Sequence, residues 1–464
     1  MVEEEVVGGG HNQLGFALQL GALRYLGFCP DDLTTTPTAV VDYLASQLDL
    51  APDALAAYGT RAQARTDHLR EIRTHLHFRT AASDDLNALQ AWLVGRALEH
   101  DRPTLLLQLA AEKLLVDKIV RPGVTSLERL VVAARGQAQE ETYQRMAPLL
   151  TDERRTALDE LLKPDADKGG TPLTWLRRRA TTYSPRAILA TIEKLAHLRQ
   201  LGVDAWDLSD ITPNRLKHLA QLGKKTTNQA LQRAPQTRRY PILLAFLSQM
   251  LIETTDEVVD LYIQCLGQTD ARSRRDLDEF RRTAARATNE KVHLFRKLGQ
   301  IVLDPKVSDG RLRAAIYRQI SKDKLQTAVE ECEQLVRPLD DNYFDFLARR
   351  YSYVRSFAPA FLDTCRFRSH REDDPLIEAI ALLRKLNQEN RRNVPEDAST
   401  VFVPAKWSPY VTADEGQINR RYYELCLLSE LRNALRAGNI WLEDSRRYAD
   451  PESYLISRTQ WPTL

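Results

Sequence analysis

Between Ile418 and Leu435 the apolar residues Ile418, Tyr422, Leu425, Leu428, Leu431 and Leu435 recur at three- and four-residue steps, the period of a helix with one buried stripe. Arg432 and Arg436 fall in its last turns, where cations favour the negative helix end. Gly438 can take the left-handed conformation that closes a helix, and Ile440-Trp441-Leu442 follows as a short apolar run. The same period governs most of the chain. The expectation is a mainly α, multi-domain helical protein with helix-turn-helix-like units and very little strand.

In chain order, His11 to Gly27 reads as a helix with Leu14, Ala17, Leu18, Ala22 and Tyr25 on one side, and Gly21 in that stripe would allow a close backbone approach. Thr36 is placed to cap a helix beginning at Pro37, with Val41, Leu44 and Leu48 inward. A short helix from Pro52 to Tyr58 and a basic one from Arg61 to His77 complete a unit like a helix-turn-helix, whose last helix would lie against the major groove. The alternative for Arg61, Arg65, Arg70 and Arg73 is an ordinary solvated face. Helices then run from Leu86 to Leu98, Pro103 to Ile119 and Thr125 to Leu149, with Thr125 and Glu128 spaced as a capping box. Lys163 to Pro172, polar and rich in Gly and Pro, reads as a linker. Tyr240 to Gly267 reads as an apolar helical pair, Phe357 to Phe367 as buried, Glu389 to Asp397 as an exposed loop and Val401 to Pro404 as a strand. These features divide the chain at 1–80, 81–165, 168–300 and 301–464.

The formal net charge is only +2, but Lys168 to Arg239 carries fourteen Lys and Arg against four Asp and Glu. A local excess of this size attracts phosphate backbones. Arg177, Arg178, Arg179, Arg215, Lys217, Lys224, Lys225, Arg238 and Arg239 are the candidate contacts, and apolar helical spacers between them imply a folded basic surface. Arg272 to Lys297, with nine cations against four acids, reads equally as a scaffold helix or a second DNA-contacting element.

The helix, glycine and Ile-Trp-Leu block, followed by Ser445-Arg446-Arg447-Tyr448 and Ser453-Tyr454-Leu455, resembles a block in the replicative transposases of the bacterial Tn-three family. His11-Asn-Gln-Leu-Gly-Phe-Ala17 is similar to the opening of that family's N-terminal domain, and Met1 to Gly10 does not look like the arm that usually precedes it. The resemblance runs from His11 to Trp461. It implies the DNA-binding half of a transposase, recognising the terminal inverted repeats of a transposon and helping to pair two ends, without the DDE catalytic domain. In that domain three carboxylates hold two magnesium ions; none of this is expected in the present chain, which is expected to be inactive alone. The rival is a helical protein-interaction scaffold descended from a decayed or domesticated transposase.

Other chemistry finds little footing. Gly223-Lys224-Lys225-Thr226 lacks the glycine and the hydroxyl of a phosphate-binding loop, and His75-x-His77 lacks a third metal ligand. The five cysteines are scattered, which favours reduced, mostly buried thiols. No run is long and apolar enough for a membrane span, and Met1-Val-Glu-Glu-Glu5 has neither the basic nor the apolar stretch expected of a signal sequence. The expected setting is the bacterial cytoplasm, with double-stranded DNA as partner, a homodimer as an allowed assembly, and no cofactor, membrane or small-molecule substrate.

Overall fold

Apolar stripes at helical spacing bury themselves by packing helix on helix, and the computed structural model is mainly α with very little strand. It describes residues 9–60, 62–338, 340–412 and 416–456. Arg61, Met1 to Gly8 and Trp461 therefore lie outside the described residues.

The helices in chain order are α1 (Gly10–Leu26), α2 (Thr38–Gln47), α3 (Ala62–Leu76), α4 (Ser83–Glu99), α5 (Pro103–Val116), α6 (Val124–Met146), α7 (Asp152–Glu160), α8 (Pro172–Arg177), α9 (Pro185–Gln200) and α10 (Pro213–Lys225). They continue with α11 (Asn228–Arg233), α12 (Gln236–Val302), α13 (Asp309–Gln319), α14 (Lys322–Leu335), α15 (Phe344–Arg349) and α16 (Tyr351–Arg355). The last are α17 (Ala358–Thr364), α18 (Pro375–Gln388), α19 (Ser408–Val411) and α20 (Arg420–Ala437). Two short strand pairs join them: β1 (Arg79–Thr80) parallel to β2 (Ile119–Val120), and β3 (Phe367–Ser369) antiparallel to β4 (Ile440–Leu442).

Two compact units result, one from residues 1–175 and 205–249 and the other from 176–204 and 250–464. The basic segment 168–300 contributes to both. In the first unit, Leu14 and Leu18 of α1 pack with Leu33, Val41, Ala45 and Leu55, while Leu23 packs with Ile72 of α3 and Phe78. The buried face of α1 is Leu14, Gly15, Leu18, Gln19 and Leu23, and Tyr25 is 70% exposed, so the stripe is rotated from its expected phase. Gly15, not Gly21, makes the close approach: a Cβ there would lie 2.2 Å from the Tyr58 ring, and one on Gly21 would meet nothing. Gly27, at φ 73°, ends the helix as a left-handed cap.

Several expectations are corrected. Thr36 does not cap α2, whose N-cap is Pro37, and α6 starts after Gly123 with no side-chain cap in place of the Thr125 box. The region from Tyr240 to Gly267 lies in one continuous helix, and Val401 to Pro404 is a turn. The supposed linker is a closed loop: the Asp165 N–H donates to the Gly170 carbonyl at 2.6 Å, and the Leu173 N–H to the Leu161 carbonyl at 3.0 Å. Gln232 reaches across to the Leu162 carbonyl at 2.8 Å, so residues before and after the loop share one unit.

The second unit is built on the part of α12 that follows Gln249. Tyr262, fully buried, stacks on Phe361 at 4.1 Å and donates its hydroxyl hydrogen to the Leu428 carbonyl at 2.5 Å. Arg432 of α20 donates to the Ile263 carbonyl at 3.1 Å and lies over Gly267, where a Cβ would come within 2.7 Å of its guanidinium. Asn419 caps α20 through its side chain, and Gly438 ends it at φ 76° as expected.

Candidate nucleic-acid interface

Ile72 anchors α3 to the core, and this fixes where its cations point. Arg65 donates to the carbonyls of Pro30 and Asp31 at 2.8 and 2.6 Å, holding the loop after α1. Arg73 is half-buried, with an Nε that has no hydrogen-bond partner. Arg70 faces solvent, its side chain 71% exposed and 3.3 Å from Asp67. An i, i+3 pair at that exposure is weak and easily exchanged for a phosphate or a base edge.

Arg215 is not a surface cation. It is 2% exposed, its Nη1 donates to Asp101 at 2.8 Å and its Nε to the Thr142 hydroxyl at 3.3 Å. Arg135 and His218 approach the same carboxylate at 2.9 and 3.2 Å. Asp101, in the turn between α4 and α5, thereby ties α6 and α10 to that turn. Burial acts to raise the Asp101 carboxyl, but Arg135, His218 and Arg215 together bring it below the usual aspartate value. His218 is held below the ordinary imidazole value of about 6.5 by burial, with Arg215 and Arg135 adding to burial and Asp101 opposing it. Both groups are depressed in the folded state, so both contribute stability above their unfolded values and lose it as pH falls through the folded ones. The urea midpoint of the first unit should therefore fall from about pH 6.5 downward, and again below about pH 4. His218→Gln should flatten the upper part of this profile; an unchanged profile would remove His218 from the linkage.

Around the end of α10 and the start of α12, Lys217, Lys225 and Arg238 are exposed and Lys224 is half-buried. Gly223 lets α10 lie against α12, since a Cβ there would stand 2.6 Å from Phe246 Cβ. Arg239 is again internal, pairing with Asp159 at 3.0 Å and donating to the Gln232 carbonyl. Arg233 of α11 is an exposed cation that charge counting did not single out.

In the second unit, Arg178 and Arg179 are exposed, Arg179 pairing with Glu253 at 3.2 Å. Arg177 is half-buried, and burial pulls its pKa down. On the distal part of α12, Arg274, Arg281, Arg282, Arg286 and Lys291 all have acidic partners. The Ser445-Arg446-Arg447-Tyr448 block is a docking element: Asp256 of α12 accepts from the Ser445 hydroxyl at 2.5 Å and from the N–H groups of Arg446 and Arg447 at 3.1 Å each. Asp260 accepts from Arg447 and from the Tyr448 hydroxyl.

Among the described residues no three His, Cys, Asp or Glu side chains gather in a group that could hold a metal ion. Among the same residues no helix is long and apolar enough to cross a membrane. All five cysteines are free thiols, and Cys265, Cys365 and Cys426 are buried.

Residues 5–134 match a family described as a domain of unknown function, DUF4158. The chain is 30% identical over 453 residues to the transposase for transposon Tn1546 of Enterococcus faecium, covering 97% of this chain and 46% of that relative. It is 33% identical over 456 residues to the transposase for transposon Tn501 of Pseudomonas aeruginosa, covering 98% and 46%. It is 29% identical to the transposase for transposon gamma-delta of Escherichia coli (strain K12), again covering 98% and 46%. The chain thus spans about half the length of the curated relatives it matches.

Proposed function

Because the chain is related over nearly its whole length to about half of each of several transposon transposases, we propose that it is the DNA-binding part of a Tn-three family transposase. That relationship carries the reading, and the exposed cations of both units give it a physical basis. In this reading the chain recognises the terminal inverted repeats of a transposon in DNA transposition. Strand cleavage is assigned to a segment of such a transposase outside this chain.

The cations divide the work by position. Lys217, Lys225 and Arg238, exposed in the most basic part of the first unit, neutralise backbone phosphates and add affinity without reading sequence. Arg70, exposed on α3, is the candidate for a base edge. Fluorescence anisotropy on a repeat duplex and a random duplex across a salt series tests this. Replacing Lys217, Lys225 and Arg238 by alanine should weaken both duplexes and reduce the salt slope by about 0.9 per lost phosphate contact. Arg70→Ala should weaken the repeat alone, by about 1–3 kcal/mol.

A protein-interaction scaffold is the second reading, favoured by Val292, Phe295 and Leu303 of the distal chain, which are 57, 74 and 82% exposed. Duplex binding that is absent at low salt would select it.

A further inference from the structure

Within the second unit, where α12 passes the junction of α15 and α16, lies an open cavity of about 320 Å3 lined by Thr269, Arg272, Arg349, Arg350, Ser352 and Tyr353. Three guanidinium groups therefore border one space. Arg350 is held by Asp276 at 2.6 Å, and its Nε is buried with no hydrogen-bond partner. Arg349 lies 4.3 Å from the centre of the Phe346 ring and only 3.9 Å, a long approach, from Asp345. That carboxylate is already bound by Arg337. Arg272 is exposed and makes no ion pair among the described residues.

Gathering like charges around a cavity is unfavourable unless an anion sits among them. Two of these cations are in addition pre-oriented, Arg350 by its carboxylate and Arg349 by its ring, so less side-chain freedom is lost when an anion arrives. Guanidinium forks match the oxygens of a phosphate bidentately, and the Ser352 and Tyr353 side chains add hydroxyls to the rim. The Thr269 hydroxyl hydrogen is already donated to the Cys265 carbonyl at 2.8 Å, which leaves the arginines as the main donors.

From this geometry we infer that the cavity is a phosphate-binding site formed by Arg272, Arg349 and Arg350. A nucleic-acid backbone is the expected source of the phosphate, a choice that rests on the proposed function. The site lies on the stretch of α12 whose other cations are largely paired, which separates it from a general basic surface.

The test uses the full chain and two double variants. R272Q/R349Q removes Arg272, which makes no ion pair among the described residues, and Arg349, whose acid is shared with Arg337, and R282Q/R286Q removes the same charge from α12 outside the cavity. On a labelled duplex, R272Q/R349Q should weaken binding about tenfold and lower the salt slope by about 0.9, the share of one phosphate. R282Q/R286Q should change affinity less than about twofold, its cations being exposed and paired with neighbouring acids. Equal losses from both variants overturn the site. A second arm compares the melting temperature in sodium phosphate with that in sodium chloride at equal ionic strength. A phosphate-specific rise that R272Q/R349Q lose, with duplex binding unchanged, assigns the cavity to free phosphate. No effect in either arm overturns it. Should the intact chain bind no duplex at all, the DNA-binding reading fails and the phosphate arm alone decides the cavity.

Discussion

Arg215→Ala is expected to destabilise the first unit by about 3 kcal/mol while leaving the duplex affinity of the folded protein unchanged. The variant removes a guanidinium that is 2% exposed and leaves Asp101, whose side chain is 13% exposed, with one arginine fewer. Breaking a buried pair from one side typically costs about 3–5 kcal/mol; Arg135 stays at 2.9 Å, which places this case at the lower end. Lys217→Ala, two residues away on the same helix and exposed, is the control. It should change stability by no more than about 0.5 kcal/mol and should weaken duplex binding instead. An Arg215→Ala protein that keeps its urea midpoint but loses duplex affinity would return Arg215 to the DNA surface.

The other large effect belongs to Glu424, 2% exposed on α20. Its carboxylate accepts from the Tyr351 hydroxyl at 2.6 Å, from Arg420 Nε at 2.8 Å and from Arg355. Arg420 in turn donates to Asn387 at 2.8 Å and to the Arg391 carbonyl, so one acid joins α16, α20 and the end of α18. Burial, with the Glu424 hydrogen bond and charge, pushes Tyr351 up to about 12, so the phenol stays protonated and donates. Glu424→Ala leaves two guanidinium groups and a phenol around an empty space and should cost about 3–5 kcal/mol. Glu424→Gln keeps the shape and loses the charge, and should cost about 1.5–3 kcal/mol. Urea unfolding followed by hydrogen exchange in α20 checks both; midpoints within error of the parent would mean that Glu424 does not hold these helices.

The helical class and the C-terminal end of α20 were legible because the apolar period and Gly438 act locally. Burial phase was less legible. Leu425, Leu428, Leu431 and Leu435 are buried as their spacing requires, but Tyr423 to Leu428 is buried continuously because α20 is enclosed on more than one side. On α1 a glycine and a glutamine occupy the core face, which an apolar count passes over. The candidate interface failed where charge met distance in sequence. Arg215 looks like its neighbours in a cationic segment, and the acid that claims it is 114 residues away. Arg239 meets Asp159 in the same way. The Lys163 to Pro172 stretch has the composition of a linker, but composition does not report the Asp165–Gly170 pairing that closes it.

Asp256, Asp260, Tyr262 and Ile263 bind groups that stand 166 to 191 positions later in the chain. During synthesis at about 5–20 residues per second, those partners emerge from the ribosome roughly 10–40 s after α12 has formed its turns. Until then the Tyr262 hydroxyl has no Leu428 carbonyl to receive its hydrogen. Contacts over such a separation form after the local ones, which gives the second unit a late folding step.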